Sequence, residues 1–228
     1  MNTAKRAVGE AAAARVEDGM RLGLGTGSTT ACFIEALGRR VREGGLQVVG
    51  TPTSFAAERL ARQHGVALAT LDELDALDLA FDGADEIDPA LNLIKGRGGA
   101  HTREKVVASL AERFIVLADP SKIVDRLGTR MPVPVEVVPM AATPVLRRLE
   151  RLGATPVLRE AASKDGPVVT DQGFWIIDAD FYGIDDPEAL DIAIRRIPGV
   201  LDHGLFLGMA HLALIGQEDG SVWELHPK

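Results

Sequence analysis

The stretch that decides the fold runs Met20-Arg21-Leu22-Gly23-Leu24-Gly25-Thr26-Gly27-Ser28-Thr29-Thr30. Residues 20–25 form a short apolar run, as a buried strand does. Over 29–43 the spacing turns helical, with Phe33, Ile34 and Leu37 on one side. Strand, glycine turn and helix in succession are the unit of a parallel sheet, and the same alternation extends outward from this segment. Helices are expected over 3–18, 55–64 (capped by Ser54) and 102–113, with strands over 46–50, 66–70, 77–81, 91–94 and 114–118. The pattern predicts a mostly parallel sheet covered by helices on both faces. Ligands in such folds bind beyond the carboxyl ends of the strands, which is where the polar, glycine-rich segments of this chain fall.

The character changes at Met131-Pro132-Val133-Pro134. Strand-like segments at 133–138, Val157, 168–170, 174–178 and from 199 onward are interleaved with helices over 140–152 and 187–196. The order β-α-β-β-α-β is that of a ferredoxin-like unit. Apolar runs between 206 and 225 return the chain to the first sheet. The expected architecture is therefore α/β. A Rossmann-like domain takes residues 1–130 and 206–228, and a smaller ferredoxin-like α+β domain takes 131–205.

Composition narrows the function. The chain has 228 residues, 46% of them hydrophobic and 25% charged, which fits a folded globular protein and not a disordered or fibrous one. A formal charge of −8 argues against wrapping nucleic acid or lying on an anionic membrane. No apolar run approaches the length of a membrane span, and residues 1–6 carry no apolar core after their basic pair, so a cytoplasmic location is expected. The one cysteine, Cys32, excludes an internal disulfide framework and reads as a packed core residue. The five histidines show no metal-ligand spacing. Trp175 and Trp223 read as packing residues, and Arg147-Arg148 and Arg195-Arg196 as solvated helix faces.

Four segments carry chemistry. The turn at residues 23–30 offers close backbone approach, free N–H groups at a helix start and hydroxyl donors, a combination suited to phosphate. It lacks the Gly-Lys-Ser/Thr ending of a nucleotide loop and the spacing of a dinucleotide fingerprint. Asp82-Gly83-Ala84-Asp85-Glu86-Ile87-Asp88 sets four carboxylates in seven residues at a strand end, suiting a divalent cation, sugar hydroxyls or acid–base work. Glu86 and Asp88 read as a solvated acidic loop. Lys95-Gly96-Arg97-Gly98-Gly99-Ala100 again ends a strand, and Lys95 is suited to stand beside a developing oxyanion. Glu104, early in the next helix, either reaches the same cleft or simply complements the helix dipole. Asp119-Pro120-Ser121-Lys122 ends the last strand of the first half, with Lys122 available to a phosphate or to solvent. His101 reads as a simple helix-start residue, with a place at the border of the cleft as the alternative.

Taken together, residues 23–29, Thr51-Pro52-Thr53-Ser54, 82–86, 95–100, Arg103-Glu104-Lys105, Ser121-Lys122 and Pro132-Val133-Pro134-Val135-Glu136 resemble the ordered motifs of type A ribose-5-phosphate isomerases. The likeness continues through Val169-Thr170-Asp171, Ile197-Pro198-Gly199-Val200 and Gly204-Leu205-Phe206, spanning essentially the whole chain. It implies interconversion of ribose 5-phosphate and ribulose 5-phosphate through an enediolate, a step of the non-oxidative pentose phosphate pathway, without metal or other cofactor, in a homodimer. It implies that Thr26, Gly27, Ser28 and Thr29 bind the substrate phosphate with Lys5 and Lys122. Asp82, Gly83, Ala84 and Asp85 would bind the sugar and assist ring opening. Lys95, Gly96, Arg97 and Gly98 would line the reacting end, and Glu104 matches the proton acceptor. Two positions depart from the pattern. Arg97 stands where many relatives have glycine, and 170–174 lacks the family's asparagines, a change expected to affect that turn and not the chemistry. Two other readings stay open: a non-catalytic sugar-phosphate sensor, against which the acidic chain and the missing DNA-binding segment argue, and an isomerase of another phosphosugar.

Overall fold

The computed structural model describes residues 3–227; the outermost ends of the expected first domain, 1–2 and 228, lie outside them. Six helices and fourteen strands are described: α1 Thr3–Ala13, β1 Arg21–Leu24, α2 Ser28–Gly44, β2 Val49–Pro52, α3 Phe55–Gln63, β3 Ala67–Leu68, β4 Leu77–Gly83, β5 Glu86–Ile87, β6 Leu93–Ile94, α4 His101–Ser109, β7 Ala111–Ala118, β8 Val133–Val137, α5 Ala142–Arg151, β9 Thr155–Leu158, β10 Trp175–Asp180, α6 Pro187–Arg195, β11 Val200–His203, β12 Leu205–Phe206, β13 Ala210–Gly216 and β14 Val222–Leu225. A seven-stranded sheet has the order β14-β13-β7-β4-β1-β2-β3, and only the β13–β14 pair is antiparallel. Alternation along its strands sorts the core onto two faces. Leu79, Phe81, Ile115, Leu117, Leu212 and Leu214 pack with Val8 of α1, Phe33 of α2 and Ala57 of α3. Ala80, Phe114, Val116, Ala213 and Ile215 pack on the other face with Val107 of α4 and Leu93 of β6.

The second sheet, β11-β8-β10-β9, is antiparallel throughout, the split β-α-β arrangement that the order of elements predicts, with α5 and α6 as its helices. A small third sheet, β12-β6-β5, lies on the second face of the first. Because β1, β4 and β7 run parallel, their carboxyl ends open on one edge.

Several element bounds differ from expectation: the first helix, expected to reach 18, ends at Ala13, and two further differences have a visible cause. The helix expected to reach 113 stops at Ser109, whose hydroxyl donates back to the Val106 carbonyl, and β7 begins at Ala111. Pairing of residues 111–113 with β4 in the parallel ladder outweighs their helical spacing. The strand expected at 168–170 is a turn touching the sheet through an isolated Val169–Trp175 bridge, because the Thr170 hydroxyl accepts from the N–H groups of Gln172 and Phe174. Trp175 packs on the second core as expected, whereas Trp223 on the edge strand β14 is over a third exposed. Cys32 is buried.

Candidate active site

The carboxyl ends of β1, β4 and β7 and the start of α4 enclose a cleft of about 350 Å³. Its centre is a buried trio. The Lys95 ammonium lies 3.2 Å from Asp82 Oδ2 and 3.1 Å from Glu104 Oε2, and donates to the Gly83 carbonyl. Lys95 is 3% exposed, Asp82 3% and Glu104 6%. The Phe206 ring lies 5.4 Å below the ammonium. Asp82 is the penultimate residue of β4, where its Oδ1 accepts the N–H groups of Thr26 (3.0 Å) and Gly83 (2.7 Å). That bond ties the glycine turn to β4, and Gly25 is what lets the two approach: a Cβ there would lie 2.3 Å from the Asp82 carboxyl. Glu104 stands in the first turn of α4. Gly96, at φ +108°, sends the chain from β6 toward that helix, where a Cβ would lie 2.6 Å from His101 Nδ1.

Burial sets the acid–base properties. It raises the Glu104 carboxyl, and the Asp82 charge raises it further; Lys95 offsets part of this, leaving Glu104 at about 8. Burial also raises Asp82, against the pull of Lys95 and the two N–H groups. For Lys95, burial acts downward, but the two carboxylates outweigh it and hold the ammonium above the ordinary lysine value. Two carboxyls and one ammonium thus share a buried site.

Of the residues singled out by sequence, Lys5, Thr26, Gly27, Ser28, Thr29 and Lys122 line one end of the cleft. Lys5 of α1 donates to Ser28 Oγ at 2.7 Å. Gly83, Ala84, Asp85, Lys95, Gly96, Arg97, Gly98 and Glu104 line the rest. Asp82 lies beneath, reached through Lys95. Arg97 is exposed, and its N–H donates to Asp85 Oδ2 at 2.9 Å. His101 is fully buried under Gly96 and does not line the cleft; burial, then the Lys105 charge, lowers it to about 3, so it stays neutral.

The reading of Glu86 as part of a solvated acidic loop is overturned, whereas Asp88 is partly exposed in the loop after β5. Glu86 is 1% exposed and accepts three N–H groups, from Gly128, Arg130 and Met131, at 2.6–2.8 Å. Asp88 accepts from Ala90, Asn92 and the Asn92 side chain. Each carboxylate of the acidic segment therefore serves separate donors, and among the described residues no group of three His, Cys, Asp or Glu is placed to hold a metal. Sequence reasoning did not place Thr53 and Ser54 in the site; their hydroxyls hold Thr26 Oγ1 at 2.8 and 2.7 Å. A polar pair closing a strand beside the glycine turn was the available signal. A larger cavity of about 480 Å³ behind α4, lined by Leu68, Leu71, Arg103 and Val106 among others, contains no buried charged cluster.

Comparison with known proteins agrees with this geometry. The model of the family described as ribose 5-phosphate isomerase A (phosphoriboisomerase A) matches residues 49–220. The ribose-5-phosphate isomerase A of Thermosynechococcus vestitus is 56% identical over 214 residues, 93% of this chain and 91% of its own. Two solved structures superpose over 97% of both chains. One is the ribose 5-phosphate isomerase A of Methanocaldococcus jannaschii, with a TM-score of 0.93 and 48% identity. The other is a D-ribose-5-phosphate isomerase in complex with phospho-erythronic acid, with a TM-score of 0.95 and 47% identity. Among the described residues no helix is long and apolar enough to cross a membrane. Fold, motif order and full-length similarity coincide: this chain is an enzyme of the ribose 5-phosphate isomerase A family.

Proposed function

We propose that the cleft isomerises ribose 5-phosphate and ribulose 5-phosphate through an enediolate, with Glu104 as the base. The observation that carries this reading is the Glu104 carboxyl, buried in the cleft, 3.1 Å from an ammonium and raised to about 8. In the open-chain aldose, Glu104 takes the proton from C2. The electron pair forms the C1=C2 bond and charge moves to O1. Return of the proton to C1, with the hydroxyl proton passing from O2 to O1, leaves the ketone at C2. Lys95 faces the oxygens on which charge develops and stabilises it. Asp85 takes the sugar hydroxyls and assists ring opening, and Asp82, beneath the cleft, acts on the site through Lys95. Lys5, Thr26, Gly27, Ser28, Thr29 and Lys122 take the phosphate at the other end, so that its binding energy fixes C1 and C2 against Glu104. A ligand such as the phospho-erythronic acid of the related structure, a phosphate and a carboxylate on a short polyol, fits the same cation-to-cation layout. The two-domain division at about 131 and 205, the homodimer and the cytoplasmic location belong to the same proposal; the memberships of the two large sheets support the division.

The test is direct. EDTA-treated protein mixed with ribose 5-phosphate is expected to form ribulose 5-phosphate without added metal. Activity lost on chelation and restored by a divalent ion would replace the proton-transfer reading with a metal site at 82–88. Binding without turnover would favour a sensor, and a preference for arabinose 5-phosphate another phosphosugar. The pH profile follows from Glu104. Its ionised form is the base, so kcat/KM should rise with pH along a limb centred near 8, falling about tenfold per pH unit below it. A limb near 4.5, or a profile flat from pH 6 to 9, would be inconsistent with Glu104 as the base.

A further inference from the structure

We infer that Arg159 is a positioning residue for the reaction: it holds the peptide planes of the 95–98 turn so that the Gly98 N–H is turned into the cleft as a donor to the reacting end of the substrate. The inference rests on the proposed isomerisation and adds to it a residue from the second sheet. Arg159 follows β9, and its own backbone is bonded on both sides, to the Ile176 carbonyl and from the Val168 N–H, each at 2.8 Å. Its guanidinium forks onto the Asp178 carboxylate of β10, Nε at 2.8 Å from Oδ2 and Nη2 onto Oδ1. The remaining nitrogen, Nη1, donates to two successive carbonyls, Gly96 at 2.9 Å and Arg97 at 3.1 Å. The side chains of this pair are 17% and 25% exposed, so the arrangement is shielded from most of the competition that weakens surface ion pairs.

A trans peptide points its N–H opposite to its C=O. The plane joining residues 96 and 97 shows this directly: Arg159 holds the Gly96 carbonyl, and the Arg97 N–H on the other side is accepted by Asp85. The next plane obeys the same rule. With the Arg97 carbonyl on Arg159, the Gly98 N–H points away from it. Arg159 and Asp178 line a separate cavity behind the turn, whereas Gly98 lines the cleft of Lys95 and Glu104. The turn is thus a wall between two cavities, with its carbonyls held from behind. A backbone N–H fixed in this way costs no reorganisation when an oxyanion forms, which is the property that makes such donors effective. A lysine at 159 would supply the charge but not the planar fork that serves a carboxylate and two carbonyls at once.

The test compares wild type with Arg159→Met and Arg159→Lys. Both variants are expected to lose kcat by about tenfold to a hundredfold, less than for outright removal of a donor because the N–H is misaimed and not deleted. KM for ribose 5-phosphate should stay within about threefold, the mark of an interaction made mainly in the transition state. Competitive inhibition by inorganic phosphate, which reports on the far end of the cleft, should not move. Millimolar guanidinium should restore part of kcat to an Arg159→Ala chain. Either folded variant keeping kcat within about twofold, or kcat loss matched by weaker phosphate inhibition, would overturn the positioning role. Should the methionine variant fail to fold, the charge-conserving lysine variant carries the comparison. A wild-type chain without turnover would overturn the isomerase reading, and this inference with it.

Discussion

Glu104→Gln is expected to lower kcat by about 10²- to 10⁴-fold, the range that a positioned general base contributes, with KM within a few-fold of wild type. The amide keeps the size of the side chain and can accept from Lys95, so the cleft should remain formed. The same substitution has a second signature. A carboxyl raised to about 8 in the folded chain, from 4.5, contributes stability that is full below 4.5 and is lost as pH rises through 8. Glutamine cannot ionise and loses nothing. At pH 9 the variant should therefore melt clearly above wild type, by more than the 2–4 °C that about 1 kcal/mol gives in a chain of this size. At pH 4, below the unfolded value, the difference should vanish. Thermal scans at the two pH values beside steady-state rates check both. Near-normal turnover would remove Glu104 from the mechanism, and a melting difference independent of pH would remove its buried carboxyl from the explanation.

Lys95→Met is expected to cost more. Loss of one preorganised donor at an oxyanion is worth about 10²- to 10³-fold in kcat. Here the ammonium is also the cation that offsets the burial of two carboxyls. Without it both hold their protons more tightly, and the acid limb of kcat/KM should move above 8. Near neutral pH the rate loss should therefore exceed 10³-fold, the lost donor and the shortage of ionised base acting together. Removing one partner of a buried ion pair typically costs about 3–5 kcal/mol, so the variant should also unfold at markedly lower denaturant. Lys95→Arg should not rescue activity, because the pocket between Asp82, Gly83 and Glu104 is closed around an ammonium. A methionine variant retaining a tenth of wild-type kcat would show that the charge on O1 and O2 is stabilised by other groups.

These residues were legible in the sequence to different degrees, for physical reasons. Strand–turn–helix alternation revealed the parallel sheet because a strand buried on both faces is apolar throughout and its turn carries glycine. The ends of elements were less visible. Residues 111–113 have helical spacing, and only pairing with β4 makes them strand. Lys95 stood out because it opens a glycine-rich turn at a strand end, whereas Glu104 by itself read equally as a partner of the helix dipole and was singled out by the family resemblance. Glu86 was misread because its partners, the N–H groups of Gly128, Arg130 and Met131, are some forty residues away. Four carboxylates close in sequence look alike until the fold gives each its own donors. Arg159 had no local signal, since its contacts lie at 96, 97 and 178.

The neighbouring parallel strands β7 and β13 are joined by a crossover that contains the entire second sheet. Both ends of that excursion are fastened beside the cleft. On the way out, the Met131 N–H is held by Glu86; on the way back, the Gly204 carbonyl accepts from the Lys95 N–H and the Gly204 N–H donates to Pro134. The second sheet is therefore tethered at both ends to segments that frame the cleft. A shift of that sheet against the first would reach the backbone of Lys95 through Gly204.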